Sequence, residues 1–311
     1  MLGLCVTVST AHAETSPVQW SIPALSARSY TAGPLTSRGV LGRGVGFTRY
    51  ALQFSSDGLT QYGFADVPDG SGPFPVIVMV HGHVSASAYR TLDYTTRYAD
   101  ALARAGFLVL HPDLRGSGRS QGAEPLFYAG YSVDVLNLIG SVQQYAGQGV
   151  LTRARRGPVG LWGHSLGGNV VLRAAVVKPA WVSAVLMYGG MSGDVRENAA
   201  QEVNVYRDPA GRQVLKLPIS LTNTVSTPDY EARLNAAFSI HWGTADREVP
   251  PTWSQALCAR LGKLGKSREC FSYAGAPHLF PAGGPWNTAL LSRTTAFFQK
   301  FLGKSFNKAP K

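Results

Sequence analysis

The sequence has little charge for its apolar content. Asp, Glu, Lys and Arg make up 15% of its 311 residues, whereas apolar residues make up 45%. This composition excludes a disordered chain and is typical of a globular protein. A chain of this length buries about three quarters of the surface that it exposes when unfolded, enough for one large α/β domain or two smaller ones.

Acidic residues are the scarcer of the two charged classes. The chain has 18 of them against 29 Lys and Arg, which gives a net charge of +11. The basic residues are scattered, apart from a short cluster at Arg153, Arg155 and Arg156, and no nucleic-acid-binding motif accompanies them. We interpret them as solvated surface and expect no nucleic-acid partner; a specific anionic partner is the alternative.

Long hydrophobic runs and metal-binding motifs are also missing. No segment of the sequence is long and apolar enough to span a membrane, so we expect no stable membrane insertion. Five histidines lie near the ends of predicted strands, but their spacing matches no zinc motif. They are His81, His83, His111, His164 and His241. We expect no metal and no cofactor.

The N-terminus has features of an export signal. A short apolar run is followed by Ala11, His12 and Ala13, which fit the small-x-small cleavage pattern. We therefore predict a signal peptide over residues 1–13 and a secreted or periplasmic protein. A plain disordered N-terminus is the alternative.

Cysteine is rare, with three residues in the chain. Removal of the predicted signal peptide removes Cys5 and leaves an even pair, Cys258 and Cys270. An even pair in an exported protein predicts a disulfide. Two buried thiols are the alternative.

Hydrophobic patterning predicts an alternation of strands and helices. Asp57 and Gly58 separate two alternating runs and indicate a β-hairpin. Continuous apolar runs, such as residues 76–80, are typical of strands covered on both faces. The predicted strands span 46–53, 59–67, 76–80, 106–110, 159–162, 182–187, 238–242 and 269–273, and the predicted helices 92–104, 128–145, 169–177, 252–264 and 286–302. This order predicts an α/β fold with a mostly parallel sheet.

Two segments depart from this alternation. Residues 14–45 are rich in Ser, Pro, Gly and Arg, and we interpret them as an N-terminal extension laid over the domain or partly mobile. Residues 190–236 carry polar residues and proline in irregular order, with one short helix near 229–237, and they follow a strand end, where sites form. We predict that 190–236 is a small lid inserted in an α/β domain over 46–311; surface decoration is the alternative.

The pentapeptide Gly163-His164-Ser165-Leu166-Gly167 is the most informative motif. It follows an apolar strand and opens a helix, and a serine on such a tight turn exposes its hydroxyl at the sheet edge. With 35 glycines in the chain, chance alone supplies about 0.3 such motifs. A nucleophilic serine also needs a base, a group that orients the base, and donors for the developing oxyanion.

The base and the acid lie on loops that follow the last two predicted strands. His278 follows strand 269–273, and Asp246 follows strand 238–242. Glu248 is the alternative acid if the loop turns differently. The order serine, acid, histidine distinguishes this arrangement from the other serine-hydrolase orders.

The oxyanion donors are expected to be backbone groups. The N–H that follows the nucleophile belongs to Leu166, and the second donor is expected in the loop after the first parallel strand. In that loop we predict the N–H of His83, with Val84 as the alternative.

Together these motifs resemble the α/β-hydrolases of the prolyl-oligopeptidase and dienelactone-hydrolase-like group. The resemblance rests, in the expected order, on residues 57–63, 75–82, 111–120, 163–168, 243–246 and 277–278. It implies an α/β-hydrolase fold and Ser165, Asp246 and His278 as the charge-relay set. It also implies a structural role for Asp113, Arg115 and Gly116. We expect no N-terminal propeller of the prolyl-oligopeptidase kind, which favours an esterase over a peptidase.

We therefore predict a secreted serine hydrolase that cleaves small-molecule carboxylic esters through an acyl-enzyme. A peptidase or acyl-peptide hydrolase of the prolyl-oligopeptidase type is one alternative, and a non-catalytic binding protein on a hydrolase fold is another. The oligomeric state stays open. Five aromatic residues are candidates for either the substrate pocket or the core: Tyr188, Tyr206, Trp242, Phe280 and Trp286.

Overall fold

A computed structural model of the chain describes residues 17–303, apart from residues 86, 123–125 and 208. The predicted signal peptide, residues 1–13, lies outside the described residues. In the part that is described, no helix has the length and apolar character needed to cross a membrane.

A nine-stranded sheet runs through the molecule in the spatial order β1-β2-β3-β5-β4-β6-β7-β8-β9. The strands are β1 (Thr36–Gly44), β2 (Phe47–Ser56), β3 (Leu59–Pro68), β4 (Val76–Val80), β5 (Leu108–Pro112), β6 (Val159–His164), β7 (Val182–Tyr188), β8 (Ala237–Gly243) and β9 (Arg268–Tyr273). The pairing is antiparallel for the neighbours β1–β2, β2–β3 and β3–β5. It is parallel for all later neighbours in this order, from β5–β4 to β8–β9. The prediction of an α/β fold with a mostly parallel sheet is confirmed.

Helices cover both faces of this sheet. They are α1 (Ile22–Ala27), α2 (Thr96–Arg104), α3 (Ala129–Tyr145), α4 (Leu166–Val177), α5 (Val195–Gln201), α6 (Pro209–Lys216), α7 (Ile219–Val225), α8 (Pro251–Lys263) and α9 (Pro285–Phe301). Strand β4 shows why its sequence is continuously apolar. Val76, Val78 and Val80 belong to the core cluster that contains α3, α4 and α8, whereas Ile77 and Met79 belong to the cluster that contains α2 and α9. Both faces of the strand are therefore buried.

The segment 14–45 contains more regular structure than the sequence analysis assigned to it. Residues 36–44 form edge strand β1, paired with β2, and residues 22–27 form helix α1, whose Ile22 and Leu25 are buried in the core. All nine residues of β1 are exposed. A strand exposed on both faces has no alternation of apolar and polar residues, so the pattern that reveals a half-buried strand was missing.

The segment 190–236 contains more helices than the one short helix predicted near 229–237. It holds α5, α6 and α7, each of seven or eight residues, and a 3₁₀ turn at Pro228–Arg233. Helices of two turns repeat too few positions to show a helical period in the sequence.

The predicted disulfide between Cys258 and Cys270 is confirmed, and it joins α8 to β9 across 12 residues of sequence. A closed loop of this size restricts the unfolded chain, so we expect reduction to lower the free energy of unfolding by about 3 kcal/mol. Urea denaturation with and without dithiothreitol measures the difference. The Cys258→Ser/Cys270→Ser variant is expected to match the reduced protein, and equal stability of the oxidised and reduced forms would contradict the prediction.

Burial affects the protonation of His241 in β8. Its Nε2 lies 2.8 Å from the Ser239 hydroxyl and its Nδ1 lies 2.9 Å from the Tyr273 hydroxyl. Burial, and to a lesser degree the charge of Arg293, lowers the pKa of this imidazole from 6.5 to about 3. Below pH 6.5 the unfolded state binds a proton at His241 that the folded state does not bind. The free energy of unfolding therefore falls as the pH falls through this range.

A His241→Asn variant is expected to lose less stability on acidification than the wild type. The wild-type imidazole contributes about 2 kcal/mol to the loss between pH 7 and pH 5, and the variant lacks this contribution. Urea denaturation at the two pH values measures the difference. Tyr273→Phe keeps the imidazole buried and serves as the control with the wild-type pH dependence. Parallel losses in His241→Asn and the wild type would refute the prediction.

Candidate active site

Ser165 lies on a sharp turn between β6 and α4. Its backbone has φ 56° and ψ −122°, a region that non-glycine residues rarely occupy. Two contacts with neighbouring chain hold this conformation: Ser165 N donates to Tyr188 O at 3.0 Å, and Met191 N donates to Ser165 O at 2.9 Å. A conformation that costs about 1–3 kcal/mol persists where the surrounding structure determines it, often at a functional site.

The two glycines of the motif are required by close packing. A Cβ atom at Gly163 would lie 2.3 Å from Gly167 O, and one at Gly167 would lie 2.3 Å from Val80 O. Both distances are too short for a side chain at either position. Gly167 thus allows the start of α4 to approach the end of β4, and this approach places the loop after β4 beside Ser165.

Asp246 and His278 form a buried pair at the carboxyl ends of β8 and β9. His278 Nδ1 lies 2.7 Å from Asp246 Oδ2, and the side chains are 6% and 1% exposed. Asp246 Oδ1 accepts hydrogen bonds from Glu248 N and Val249 N, both at 2.9 Å. These two backbone donors orient the carboxylate toward the histidine. With Nδ1 donating to the carboxylate, Nε2 is the ring nitrogen left to accept a proton.

Glu248, the alternative acid, lies on the other side of the imidazole. Its Oε2 is 3.9 Å from His278 Nε2, and its side chain is 59% exposed. The geometry therefore assigns the buried Nδ1 contact to Asp246.

The imidazole of His278 packs against the serine turn. Its centroid lies 4.6 Å from that of the His164 ring, and a Cβ at Gly189 would lie 3.2 Å from His278 Nδ1. Within the described residues, Ser165 Oγ has no hydrogen bond to this ring. Such contacts are often long in a free enzyme and shorten when substrate binds.

The predicted oxyanion donors are available. Among the described residues, neither Leu166 N nor His83 N donates to a protein acceptor. Both residues line a cavity together with Ser165. Leu166 is the first residue of α4, where backbone N–H groups have no partner within the helix and favour negative charge.

The loop after β4 is held in place by His81. This buried ring lies 2.7 Å, through Nδ1, from Gly82 O, and its Nε2 accepts from Leu114 N at 3.2 Å. Burial lowers its pKa from 6.5 to about 4, so the ring is neutral near pH 7. A neutral ring with Nε2 accepting must carry its proton on Nδ1 and donate it to Gly82 O.

The loop after β5 is held by buried polar contacts. Asp113 accepts from the Tyr89 hydroxyl at 2.6 Å and from the Thr91 hydroxyl at 2.8 Å, and burial raises its pKa from 3.8 to about 6. Arg115 makes a two-point ion pair with Asp134, at 2.8 and 2.9 Å. These contacts fit the structural role that the resemblance implied for Asp113 and Arg115.

The family model for the alpha/beta hydrolase fold matches residues 75–234, about half of the chain. The chain belongs to the α/β-hydrolase fold family. The predicted family and fold class are thereby confirmed. The match includes the loop after β4 and the Ser165 turn, whereas Asp246 and His278 lie beyond it, so their assignment rests on the geometry described above.

Several known proteins are similar to this α/β-hydrolase. Human protein ABHD12B is 35% identical over 242 residues, which are 75% of this chain and 62% of that protein. The chain spans less than two thirds of the length of the curated relatives it matches. Acetyl xylan esterase 1 from Thermoanaerobacterium sp. JW/SL YS485 has a TM-score of 0.62 at 16% identity, with 91% of each chain covered.

The acylaminoacyl peptidase of Pyrococcus horikoshii has a TM-score of 0.67 at 20% identity, covering 85% of this chain and 43% of that one. At such identities the solved structures show a shared fold alone. The chain accordingly has the α/β-hydrolase fold.

A cavity of about 200 Å³ opens beside the serine of this α/β-hydrolase. Its walls come from the serine turn, the loop after β4, the helical segment 190–236 and the start of α8. The lining residues are His83, Tyr128, Ser165, Leu166, Met191, Gln201, Glu202, Glu248, Val249 and Trp253. Residues 190–236 thus contribute Met191, Gln201 and Glu202 to the same cavity as the nucleophile.

The aromatic residues of this cavity were not those that the sequence analysis considered. Tyr128 and Trp253 line it. Tyr188 and Phe280 are fully buried in the core, and Trp242 is buried as well, while Trp286 packs against the core. The side chain of Tyr206 lies outside the described part. A sequence cannot separate core aromatics from lining aromatics, because both follow the same apolar pattern.

Proposed function

We propose that this α/β-hydrolase is a secreted serine hydrolase that cleaves carboxylic esters of small molecules through an acyl-enzyme. One observation carries the proposal. Ser165, on a strained turn, lines one cavity together with Leu166 and His83, whose backbone N–H groups have no acceptor among the described residues, and the buried Asp246–His278 pair packs against the same turn. Those are the groups that acyl transfer requires.

The chemistry follows from the positions of these groups. Ser165 Oγ attacks the ester carbonyl while His278 Nε2 takes its proton, and the Asp246 carboxylate stabilises the resulting imidazolium. The N–H groups of Leu166 and His83 donate to the oxyanion of the tetrahedral intermediate. His278 then returns the proton to the leaving alkoxide, and the alcohol departs. Water, activated by the same imidazole, releases the carboxylic acid from Ser165.

The size and division of the site favour small esters. The cavity beside Ser165 measures about 200 Å³, below the range of about 300–1,000 Å³ that is typical of pockets for drug-sized ligands. A second cavity of about 280 Å³ lies along the loop after β4 and shares His83 and Leu166 with the first. In this arrangement the acyl part of an ester occupies one cavity and the alcohol part occupies the other, with the oxyanion donors between them. The helices of residues 190–236 act as the lid over the first cavity.

Export is the second part of the proposal. The Cys258–Cys270 disulfide supports it, because disulfides persist in oxidising compartments. Fractionation of producing cells, with detection of the N-terminal residue of the mature protein by mass spectrometry, tests it. Detection of the intact N-terminus in the cytoplasmic fraction alone would contradict export.

The test of the reaction is covalent labelling by a fluorophosphonate, which reacts with activated serines. We expect the wild type and Ser55→Ala, an exposed serine on β2, to be labelled, and Ser165→Ala to remain unlabelled. Labelling of Ser165→Ala at the wild-type rate would overturn the assignment. A panel of p-nitrophenyl esters of graded acyl length, beside an acylamino-acid anilide, then separates the esterase from the acyl-peptide hydrolase.

A further inference from the structure

A chain of hydrogen bonds connects the three loops that surround Ser165. It begins at Gly82 in the loop after β4, passes through Tyr94 and His164, and ends at the carbonyl of His278. Apart from His278, none of these residues belongs to the proposed charge-relay set or to the oxyanion donors. Tyr94 lies just before α2, in a segment that the sequence predicted as the start of helix 92–104 and that carries no motif.

Gly82 is held on both of its backbone groups. Its N–H donates to the Tyr94 hydroxyl at 2.7 Å, and its carbonyl accepts from the His81 ring at 2.7 Å. The carbonyl of Gly82 and the N–H of His83 belong to one planar peptide and point in opposite directions. The His81 contact to this carbonyl therefore sets the direction of the His83 N–H, and the Tyr94 contact fixes the peptide that precedes it.

Gly82 also lies directly against the nucleophile. A Cβ atom at this position would lie 2.9 Å from the Cβ of Ser165 and 2.7 Å from the Tyr94 hydroxyl oxygen. No side chain fits between the loop and the serine turn. A small displacement of Gly82 would therefore move the His83 donor relative to the reacting oxygen.

Only one placement of the protons gives every hydrogen bond between Gly82 and His278 one donor and one acceptor. The Tyr94 oxygen accepts from Gly82 N and lies 2.9 Å from His164 Nδ1. His164 Nε2 faces the carbonyl of His278 at 3.4 Å, and a carbonyl only accepts, so Nε2 carries the proton. Nδ1 must then accept, and the Tyr94 hydroxyl donates to it. Burial holds the pKa of His164 well below its ordinary value, in agreement with a neutral ring.

We propose that Tyr94 and His164 are positioning residues that hold the His83 oxyanion donor and the His278 imidazole in register around Ser165. The inference rests on the proposed serine-hydrolase function and adds two residues to it. Its physical basis is that the oxyanion donor, the nucleophile and the base lie on loops after β4, β6 and β9. The Tyr94–His164 chain bridges all three.

Removal of the Tyr94 hydroxyl is expected to lower kcat with little change in KM. In Tyr94→Phe, Gly82 N–H loses its acceptor and His164 loses the donor to Nδ1. The His83 donor is then misplaced in the transition state, while the cavity walls that bind the ester remain. We expect kcat for p-nitrophenyl acetate to fall by about 10- to 100-fold, less than the ~100- to 1,000-fold typical for complete loss of an oxyanion donor.

A second tyrosine of the protein offers a matched control for Tyr94→Phe. The Tyr273 hydroxyl is likewise hydrogen-bonded to a buried histidine, 2.9 Å from His241 Nδ1. Tyr273 lies on β9 and does not line the cavity that holds Ser165. Tyr273→Phe therefore removes a tyrosine–histidine hydrogen bond of the same length. Both variants are expected to show similar small losses in Tm, and only Tyr94→Phe is expected to lose kcat. Equal kcat values in the two variants would overturn the proposal.

A double variant tests whether the residues act together. Gln at position 164 retains an amide that reaches toward the His278 carbonyl and loses the acceptor for Tyr94. If the hydrogen-bonded series acts as one unit, the kcat of Tyr94→Phe/His164→Gln is no lower than that of the worse single variant. A fold-loss of kcat in the double variant equal to the product of the two single fold-losses would show that Tyr94 and His164 act separately. That result would overturn the proposal.

Failure of this inference is distinguishable from failure of the proposed function. Fluorophosphonate labelling of the wild type, with none of Ser165→Ala, is established first and does not depend on Tyr94. An enzyme that passes this test and keeps full kcat in Tyr94→Phe refutes the positioning role alone. An unlabelled wild type refutes the serine-hydrolase function itself.

Discussion

Ser165→Ala is expected to lower kcat for a p-nitrophenyl ester by about 10⁵- to 10⁶-fold. The hydroxyl is the atom that forms the acyl-enzyme, so its loss removes the covalent route altogether. The oxyanion donors of Leu166 and His83 are unaffected by the substitution. They are expected to leave a residual rate of about 10³- to 10⁴-fold over the uncatalysed reaction in water.

Steady-state kinetics on the purified variant measure this loss, and the fold of the variant is checked by its Tm. Alanine at position 165 adopts the same φ of 56° as the serine, so the substitution adds no backbone strain and the Tm is expected to stay close to that of the wild type. Ser55→Ala, made and purified in parallel, reports any contaminating esterase. A Ser165→Ala enzyme with kcat within tenfold of the wild type would show that the nucleophile lies elsewhere.

Asp246→Asn is expected to lower kcat by about 10⁴-fold. The two backbone donors of Glu248 and Val249 point at Oδ1, so the amide oxygen of the variant takes that position. The amide NH₂ then faces His278 Nδ1 in place of Oδ2. Because the amide donates, Nδ1 must accept and the imidazole proton moves to Nε2. A protonated Nε2 cannot accept the proton of Ser165.

The expected defect of Asp246→Asn is a wrong histidine tautomer in an intact site, which distinguishes it from simple unfolding. The Tm of Asp246→Asn is expected to stay close to that of the wild type, because the amide retains the shape and both backbone hydrogen bonds of the carboxylate. Asp69→Asn, on the loop after β3, is the matched control with wild-type kcat. Loss of kcat together with a collapsed Tm would instead indicate a structural role for Asp246.

Four of the strands that were predicted correctly from the sequence share one property. β4, β6, β7 and β8 are buried on nearly every residue, so each appears as an apolar run bounded by glycine or polar residues. The serine turn was equally visible, since its glycines are needed at fixed positions by local contacts. Edge strand β1 and the short helices of 190–236 were not visible, because neither has a buried face long enough to repeat a pattern.

The parts of the site that sequence reasoning missed depend on which strands are neighbours. Tyr94 meets His164 across 70 residues of chain, because β4 and β6 are adjacent in the sheet. A tyrosine in a loop gives no sign of such a partner. Trp253 likewise reaches the cavity through the docking of α8, although its own segment shows an ordinary helical pattern.

The class of fold, the candidate nucleophile and the chain order of the serine, the acid and the histidine all follow from the amino-acid sequence alone. Periodicity and close-packed glycines are local properties, and residue order does not change on folding. The tertiary structure decided that Asp246 rather than Glu248 meets His278 Nδ1, and that Tyr94 and His164 join the oxyanion loop to the histidine loop. Those contacts depend on distances and directions between loops far apart in sequence, and such distances exist only once the parallel strands have brought their carboxyl ends together.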